Sequence, residues 1–242
     1  MVLEIGPDAE APGNGGLAPV TACEAETVAS RVADVRGRVA RAGANPDTIR
    51  IVAVTKGFGP KAVEAALSAG LLDVGENYAQ ELLAKAADSR PDARWHFLGQ
   101  VQRNKVRRLA PVVHTWHAID RVAAAESVAA ASPGVEVMVQ VNVTGAASKA
   151  GCSPAEVDDL VDRCRRLPLD LSGLMAVGPV GDMDGTRNCF RWLAERAGRL
   201  GLRELSMGMS DDFEVAVAEG ATTLRLGRVI FGPRPGRSVV QR

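Results

Sequence analysis

Apolar, β-branched runs alternate with helix-spaced segments along most of this 242-residue chain, and no other feature limits the fold as strongly. The runs lie at about 50–55, 71–74, 94–98, 112–116, 135–143, 170–177, 203–206 and 222–226, which predicts eight strands. Helical spacing predicts helices at roughly 60–69, 77–88, 103–110, 121–131, 153–166, 184–200 and 211–219, each able to return the chain to a neighbouring parallel strand. A further helix comes first. Val28, Val32, Val35 and Val39 form a stripe between Glu24 and about Arg41, ended by Gly43 and Pro46. The pattern fits an α/β fold, a (β/α)8 barrel of the TIM type with an extra N-terminal helix. A doubly wound open sheet is the alternative, because periodicity does not show that a sheet closes. Residues 1–20, broken by Pro7, Pro12, Gly13, Gly15, Gly16 and Pro19, read as a flexible leader, and 21–242 as a single barrel domain.

Composition narrows the function classes. Lys plus Arg equals Asp plus Glu at 29 each, which gives no reason to expect a polyanionic partner. The cluster Arg103, Lys105, Arg107 and Arg108 accordingly reads as a solvated helix face, with no nucleic acid expected. No stretch approaches about 18 uninterrupted apolar residues, and the N-terminus lacks a basic region followed by an apolar one, so neither a membrane span nor a secretory signal is expected. A cytoplasmic protein follows. Cys23, Cys152, Cys164 and Cys189 are widely spaced, which suits reduced thiols better than disulfides or zinc. His114 and His117, three apart on a strand, point to opposite faces; with only His96 besides, no metal site is expected. Gly227 and Gly232 have the glycine spacing of a P-loop, but Pro233 stands where its lysine belongs.

In a barrel, chemistry gathers in the segments that follow each strand. Lys56 closes the run Ile51-Val52-Ala53-Val54-Thr55 and is followed by Gly57-Phe58-Gly59-Pro60, the position of a Schiff-base lysine. Partial desolvation near cations lowers the pKa of such an amine toward its nucleophilic form. The second strand leads into Gly75-Glu76-Asn77-Tyr78. The seventh leads into Ser206-Met207-Gly208-Met209-Ser210-Asp211-Asp212, and the eighth ends Leu224-Arg225-Leu226-Gly227-Arg228. These last two segments, small and glycine-rich beside a helix start, have the composition of a phosphate cradle. Asp211 with Glu214 reads as a capping-box start for the helix at 211–219, and Gly220 as its end.

Taken together these motifs resemble the pyridoxal phosphate homeostasis protein family, similar in turn to the N-terminal barrel of alanine racemase. The stretches that carry the resemblance are Ala53-Val54-Thr55-Lys56, Gly75-Glu76-Asn77-Tyr78-Ala79-Gln80-Glu81, Trp95-His96-Phe97-Leu98-Gly99 and Gln140-Val141-Asn142-Val143. They continue through Ser148-Lys149-Ala150-Gly151, Gly173-Leu174-Met175-Ala176, Leu205 to Asp212 and Arg225 to Gly232, covering about residues 25–235. The resemblance implies a fold-type III barrel holding pyridoxal 5'-phosphate as an internal aldimine on Lys56. It implies that Asn77 lines the cofactor pocket, that Arg225 faces the pyridine nitrogen, and that Ser206 or Ser210 holds the phosphate with the amides around Gly227 and Arg228. Arg228 departs from the small hydroxyl residue common in the family; its guanidinium partly replaces the lost contact.

An arginine opposite the ring nitrogen can only donate, so it keeps that nitrogen unprotonated and weakens the ring as an electron sink. Racemisation or simple carriage then remain. Alanine racemase draws its second base, a tyrosine, from a further domain, and the only tyrosine here is Tyr78. The resemblance therefore implies a protein of cofactor homeostasis that supplies or buffers pyridoxal phosphate, with apo pyridoxal-phosphate enzymes as recipients and no efficient turnover, and a monomer is expected. A weak or specialised amino-acid racemase is the alternative.

Overall fold

The structure, a computed structural model, describes residues 24–234, so the expected leader 1–20 lies outside it. Eight parallel strands pair in chain order: β1 (Arg50–Val54), β2 (Asp73–Glu76), β3 (Arg94–Phe97), β4 (Val113–Ile119), β5 (Glu136–Gln140), β6 (Asp170–Met175), β7 (Glu204–Ser206) and β8 (Thr223–Leu226). β8 pairs back with β1 in the register Arg50↔Thr223 to Ala53↔Leu226, and the sheet is a closed barrel, not an open one. The helix α1 (Ala25–Arg41) precedes it and buries the valine stripe Val28, Val32, Val35 and Val39. The remaining helices are α2 (Pro60–Ser68), α3 (Ala79–Ala87), α4 (Arg103–Leu109), α5 (Val122–Ala131), α6 (Val157–Arg165), α7 (Met183–Arg199), α8 (Phe213–Ala218) and α9 (Arg228–Phe231).

The apolar core lies between sheet and helices. Ile51, Ala53, Val74, Leu174, Leu224 and Leu226 belong to this layer, packed against helix residues such as Ala62, Val63 and Leu193. Their strand neighbours face the other way, because side chains alternate across a strand. The inward set is largely polar: Asp73, His96, Thr115, His117, Glu136, Ser206 and Arg225 are nearly all buried and hydrogen-bonded to one another. Barrel interiors are more often filled by branched apolar side chains. Here Met138, Met175 and Ala118 form only a small apolar cluster apart from the main one.

Several boundaries differ from those the sequence predicts, each for a local reason. The strand expected at 71–74 runs from Asp73 to Glu76 because both carboxylates find buried partners and so can sit in a fully covered strand. The strand expected at 135–143 stops at Gln140, after which Val141 makes an isolated bridge to Cys152. The helix expected from 153 starts at Val157, since Ser153 spends its N–H and hydroxyl on the Glu156 carboxylate in a turn of its own. The capping box expected from Asp211 and Glu214 does not form. Asp212 is the N-cap without a side-chain cap bond, Glu214 pairs with Arg38 on α1, and Asp211 pairs with Arg228. Gly220, at φ +94, ends the helix as expected.

Strand β6 admits no side chain at Gly173, where a Cβ would lie 1.9 Å from the Glu204 carbonyl oxygen of β7. Gly173→Ala is therefore expected to lower unfolding stability by about 3 kcal/mol, the scale of an overpacked core. A urea midpoint unchanged from the parent would show that β6 and β7 can part without cost.

Candidate functional site

Lys56 stands two residues beyond β1, and its neighbours on both sides are tied down. The buried Thr55 donates its hydroxyl to Glu76 Oε1 at 2.7 Å, and its carbonyl accepts from Lys85 Nζ at 2.7 Å. Gly57 N–H donates to Glu81 Oε1 at 2.8 Å. Lys85, on α3, closes the set by donating to Glu76 Oε1 at 2.5 Å and Glu81 Oε1 at 2.8 Å. One ammonium thus joins β1, β2 and α3 around the segment that carries Lys56. Burial raises the Glu76 pKa, and the bonds from Lys85 and Thr55 oppose that rise.

Lys56 itself is half-buried, and its pKa is lowered first by that burial and then by the positive charges of Arg234 and Arg225. Glu76 and Glu81 act in the opposite direction but are outweighed. The amine is shifted toward its neutral, nucleophilic form.

A cavity of about 640 Å³ opens at the C-terminal ends of the strands, and Lys56, Asn77, Ser210, Arg225, Gly227 and Arg228 all line it. Ser206, the seventh residue singled out by the sequence, is fully buried in the barrel interior behind Arg225. Arg225 donates from Nη1 to Ser206 Oγ at 2.7 Å and from Nη2 to the Ala176 carbonyl at 2.8 Å. Burial pushes its pKa down to about 10, with Asp212 opposing, so it remains a cation near neutrality.

The loop after β7 and the start of α9 meet at the cavity, beside the end of β1. Ser210 Oγ accepts the Val229 N–H at 3.2 Å, Arg228 pairs with Asp211, and Asp212 Oδ1 accepts the Met209 N–H at 2.5 Å. Gly208 makes the bend, with φ +92 and no room for a Cβ beside Ala216 and Leu224. At the end of β2, Asn77 Oδ1 is buried without a hydrogen-bond partner. An acceptor left open at a cavity wall is suited to a donor brought by a ligand.

The site also rests on residues that the sequence reading gave no role in it: Glu76, Glu81, Lys85, Asp73, His96, His117 and Arg234. A signal was present for some of them. Asp73 and Glu76 interrupt or end apolar runs, and Glu81 with Lys85 has the four-residue spacing of a helical ion pair. His114 and His117 do face opposite sides, His114 exposed and His117 fully buried in the interior. Among the described residues no group of three or more His, Cys, Asp or Glu is arranged to hold a metal ion, and no helix is long and apolar enough to cross a membrane.

Residues 33–235 match the family described as alanine racemase, N-terminal domain. The chain is 41% identical over 219 residues to the pyridoxal phosphate homeostasis protein of Pseudomonas aeruginosa, covering 87% of this chain and 95% of that one. Among solved structures it resembles PipY of Synechococcus elongatus PCC7942 with PLP bound, at a TM-score of 0.71 and 33% identity, covering 85% of this chain and all of that one. It shares its fold with the alanine racemase of Bacillus anthracis, at a TM-score of 0.67 and 15% identity, covering 89% of this chain and 58% of that one.

Replacing Lys85 by Met leaves the Glu76 carboxylate buried without its cation, and unfolding stability is expected to fall by about 3–5 kcal/mol. Glu76→Gln added to Lys85→Met removes the charge and should restore part of that loss. Equal and additive losses in chemical denaturation would show that the two groups do not depend on each other.

Proposed function

The chain belongs to the pyridoxal phosphate homeostasis protein family, built on the alanine racemase N-terminal domain, and from that membership we propose that it binds pyridoxal 5'-phosphate and supplies or buffers it in the cytoplasm. The observation that carries the reading is one cavity lined by both a lysine shifted toward its neutral form and a buried arginine. When bound, pyridoxal phosphate supplies an aldehyde that reacts with amines and a pyridine ring that takes up electron density.

The residues present fit that group. Lys56 Nζ is the covalent anchor. Arg225, anchored on Ser206 and Ala176, directs donors toward the ring nitrogen and keeps it unprotonated. Ser210, Gly227 and Arg228 line the part of the cavity that would hold the phosphate, where the Ser210 hydroxyl and the Arg228 guanidinium would offer donors. Asn77 Oδ1, otherwise unpaired, accepts from the bound group. Ser206 acts behind this layer by holding Arg225.

Carriage suits the cavity better than racemisation. Two-sided proton transfer needs a second base opposite the lysine, and the cavity lining contains neither tyrosine nor histidine. Tyr78, the only tyrosine in the sequence, is 63% exposed and lines a separate small cavity. Apo forms of pyridoxal-phosphate enzymes are the proposed recipients, and a monomer is the proposed working unit.

The loaded protein should restore activity to an apo pyridoxal-phosphate enzyme while showing no conversion of L- to D-alanine. Efficient racemisation, or no transfer at all, would contradict carriage. Because the folded-state pKa of Lys56 is lowered, covalent capture of pyridoxal phosphate should reach its midpoint below the pH of an ordinary lysine, about 10.4. Arg234→Ala removes a neighbouring positive charge and should move that midpoint upward; a downward move or no change in a spectroscopic titration would remove Arg234 from this role.

A further inference from the structure

A continuous line of hydrogen bonds crosses the barrel interior and ends on Arg225. It begins at the opposite end of the barrel, where Arg94 Nη2 donates to Asp73 Oδ2 at 2.6 Å. Asp73 Oδ1 lies 2.8 Å from His96 Nε2, His96 Nδ1 lies 2.8 Å from His117 Nε2, and His117 Nδ1 lies 2.9 Å from Ser206 Oγ. Arg225 Nη1 then donates to that same oxygen at 2.7 Å. His96, His117 and Ser206 are at most 1% exposed, so no solvent stands ready to replace a lost partner.

From this geometry we propose that Asp73 is a positioning residue for Arg225: it imposes one donor direction on His96, His117 and Ser206, which leaves the Ser206 lone pairs free to hold the guanidinium at the cavity. The ionised Asp73 carboxylate can only accept, so His96 must carry its proton on Nε2. A neutral His96 then presents a lone pair at Nδ1, which requires His117 to donate from Nε2. His117 in turn presents a lone pair at Nδ1, and the Ser206 hydroxyl donates to it. The reverse direction would set a lone pair of His96 against the Asp73 carboxylate, and would make His117 and Arg225 both donate to one hydroxyl oxygen.

The charges around the line agree with this direction. Burial keeps both histidines below their usual pKa and hence neutral. For Asp73, burial opposes ionisation, but its pKa is still lowered, helped by the hydrogen bonds from His96 and Arg94 and by the Arg94 charge. Arg50 and Glu136, the other charges that bear on His96, pair with each other at 3.2 Å.

The orientation of the line stands on this geometry alone, whereas its consequence for the pyridine nitrogen rests on the function proposed above. The test begins with cofactor-free protein labelled with nitrogen-15 histidine. Only three histidines contribute, and of these His114 is exposed and stands outside the line. His96 and His117 should both show a protonated Nε2 and an unprotonated Nδ1 at neutral pH. A proton on Nδ1 of either ring would overturn the proposal, with or without any cofactor binding.

Asp73→Asn then reverses the first donor. Arg94 claims the amide oxygen, the amide N–H groups face His96, and both buried rings should switch to Nδ1–H. Ser206→Ala cuts the line below His117 and should leave both rings as in the parent. Rings unchanged in a folded Asp73→Asn protein would overturn the proposal; if that variant does not fold, the parent and Ser206→Ala spectra still decide it. With pyridoxal phosphate added, Asp73→Asn and Ser206→Ala should each shift the cofactor absorbance band. An unshifted band alongside switched rings would keep the oriented line and refute its effect on the cofactor.

Discussion

A carboxylate taken out of water must be given donors, and in this barrel the groups that donate to two buried carboxylates also shape the site. Glu76 is fully buried, and the donors it receives from Thr55 and Lys85 bind β1, β2 and α3 into one unit around Lys56. Asp73, three residues earlier in β2 and on the other face of the strand, is also buried, and its partners are Arg94 and His96. Neither arrangement is a large net source of stability, because desolvation offsets most of the attraction. Their effect is geometric: they leave Lys56 and Arg225 few alternative positions.

The layers of the molecule divide the work. Apolar contact between sheet and helices supplies the driving force for folding, through side chains such as Trp95, Trp116, Phe190 and Leu224. The interior, relieved of that task, can be polar, and its groups satisfy one another from Asp73 to Arg225. A strand end is a suitable place for the reactive amine. Lys56 is desolvated enough to favour its neutral form, yet it reaches a cavity through which ligand can enter.

The outer layer was the part most legible in the sequence, because apolar runs alternate with helix-spaced segments strand after strand. The valine stripe of α1 and the eight runs place every major element within a few residues. The lysine after β1, Asn77 after β2 and Arg225 in β8 were legible from position and from the family's motifs. What was hidden depends on pairing between distant residues. Nothing local in the sequence indicates that His96 and His117, 21 residues apart, share a hydrogen bond, or that Ser206 serves Arg225 while Ser210 reaches the cavity. The same limit explains Glu214, whose spacing from Asp211 suits a cap but whose carboxylate is taken by Arg38.

A cavity lined by Lys56 and Arg225, with neither tyrosine nor histidine among its lining residues, suits a cofactor that is kept and passed on, and the proposed function depends on Lys56 being its point of attachment. The direct measurement is to load the protein with pyridoxal phosphate, reduce it with borohydride and map the modified peptide by mass spectrometry. The account predicts a pyridoxyl group on Lys56 at one equivalent per chain, absent from the Lys56→Ala protein. Modification spread over other lysines, or retained in Lys56→Ala, would contradict it.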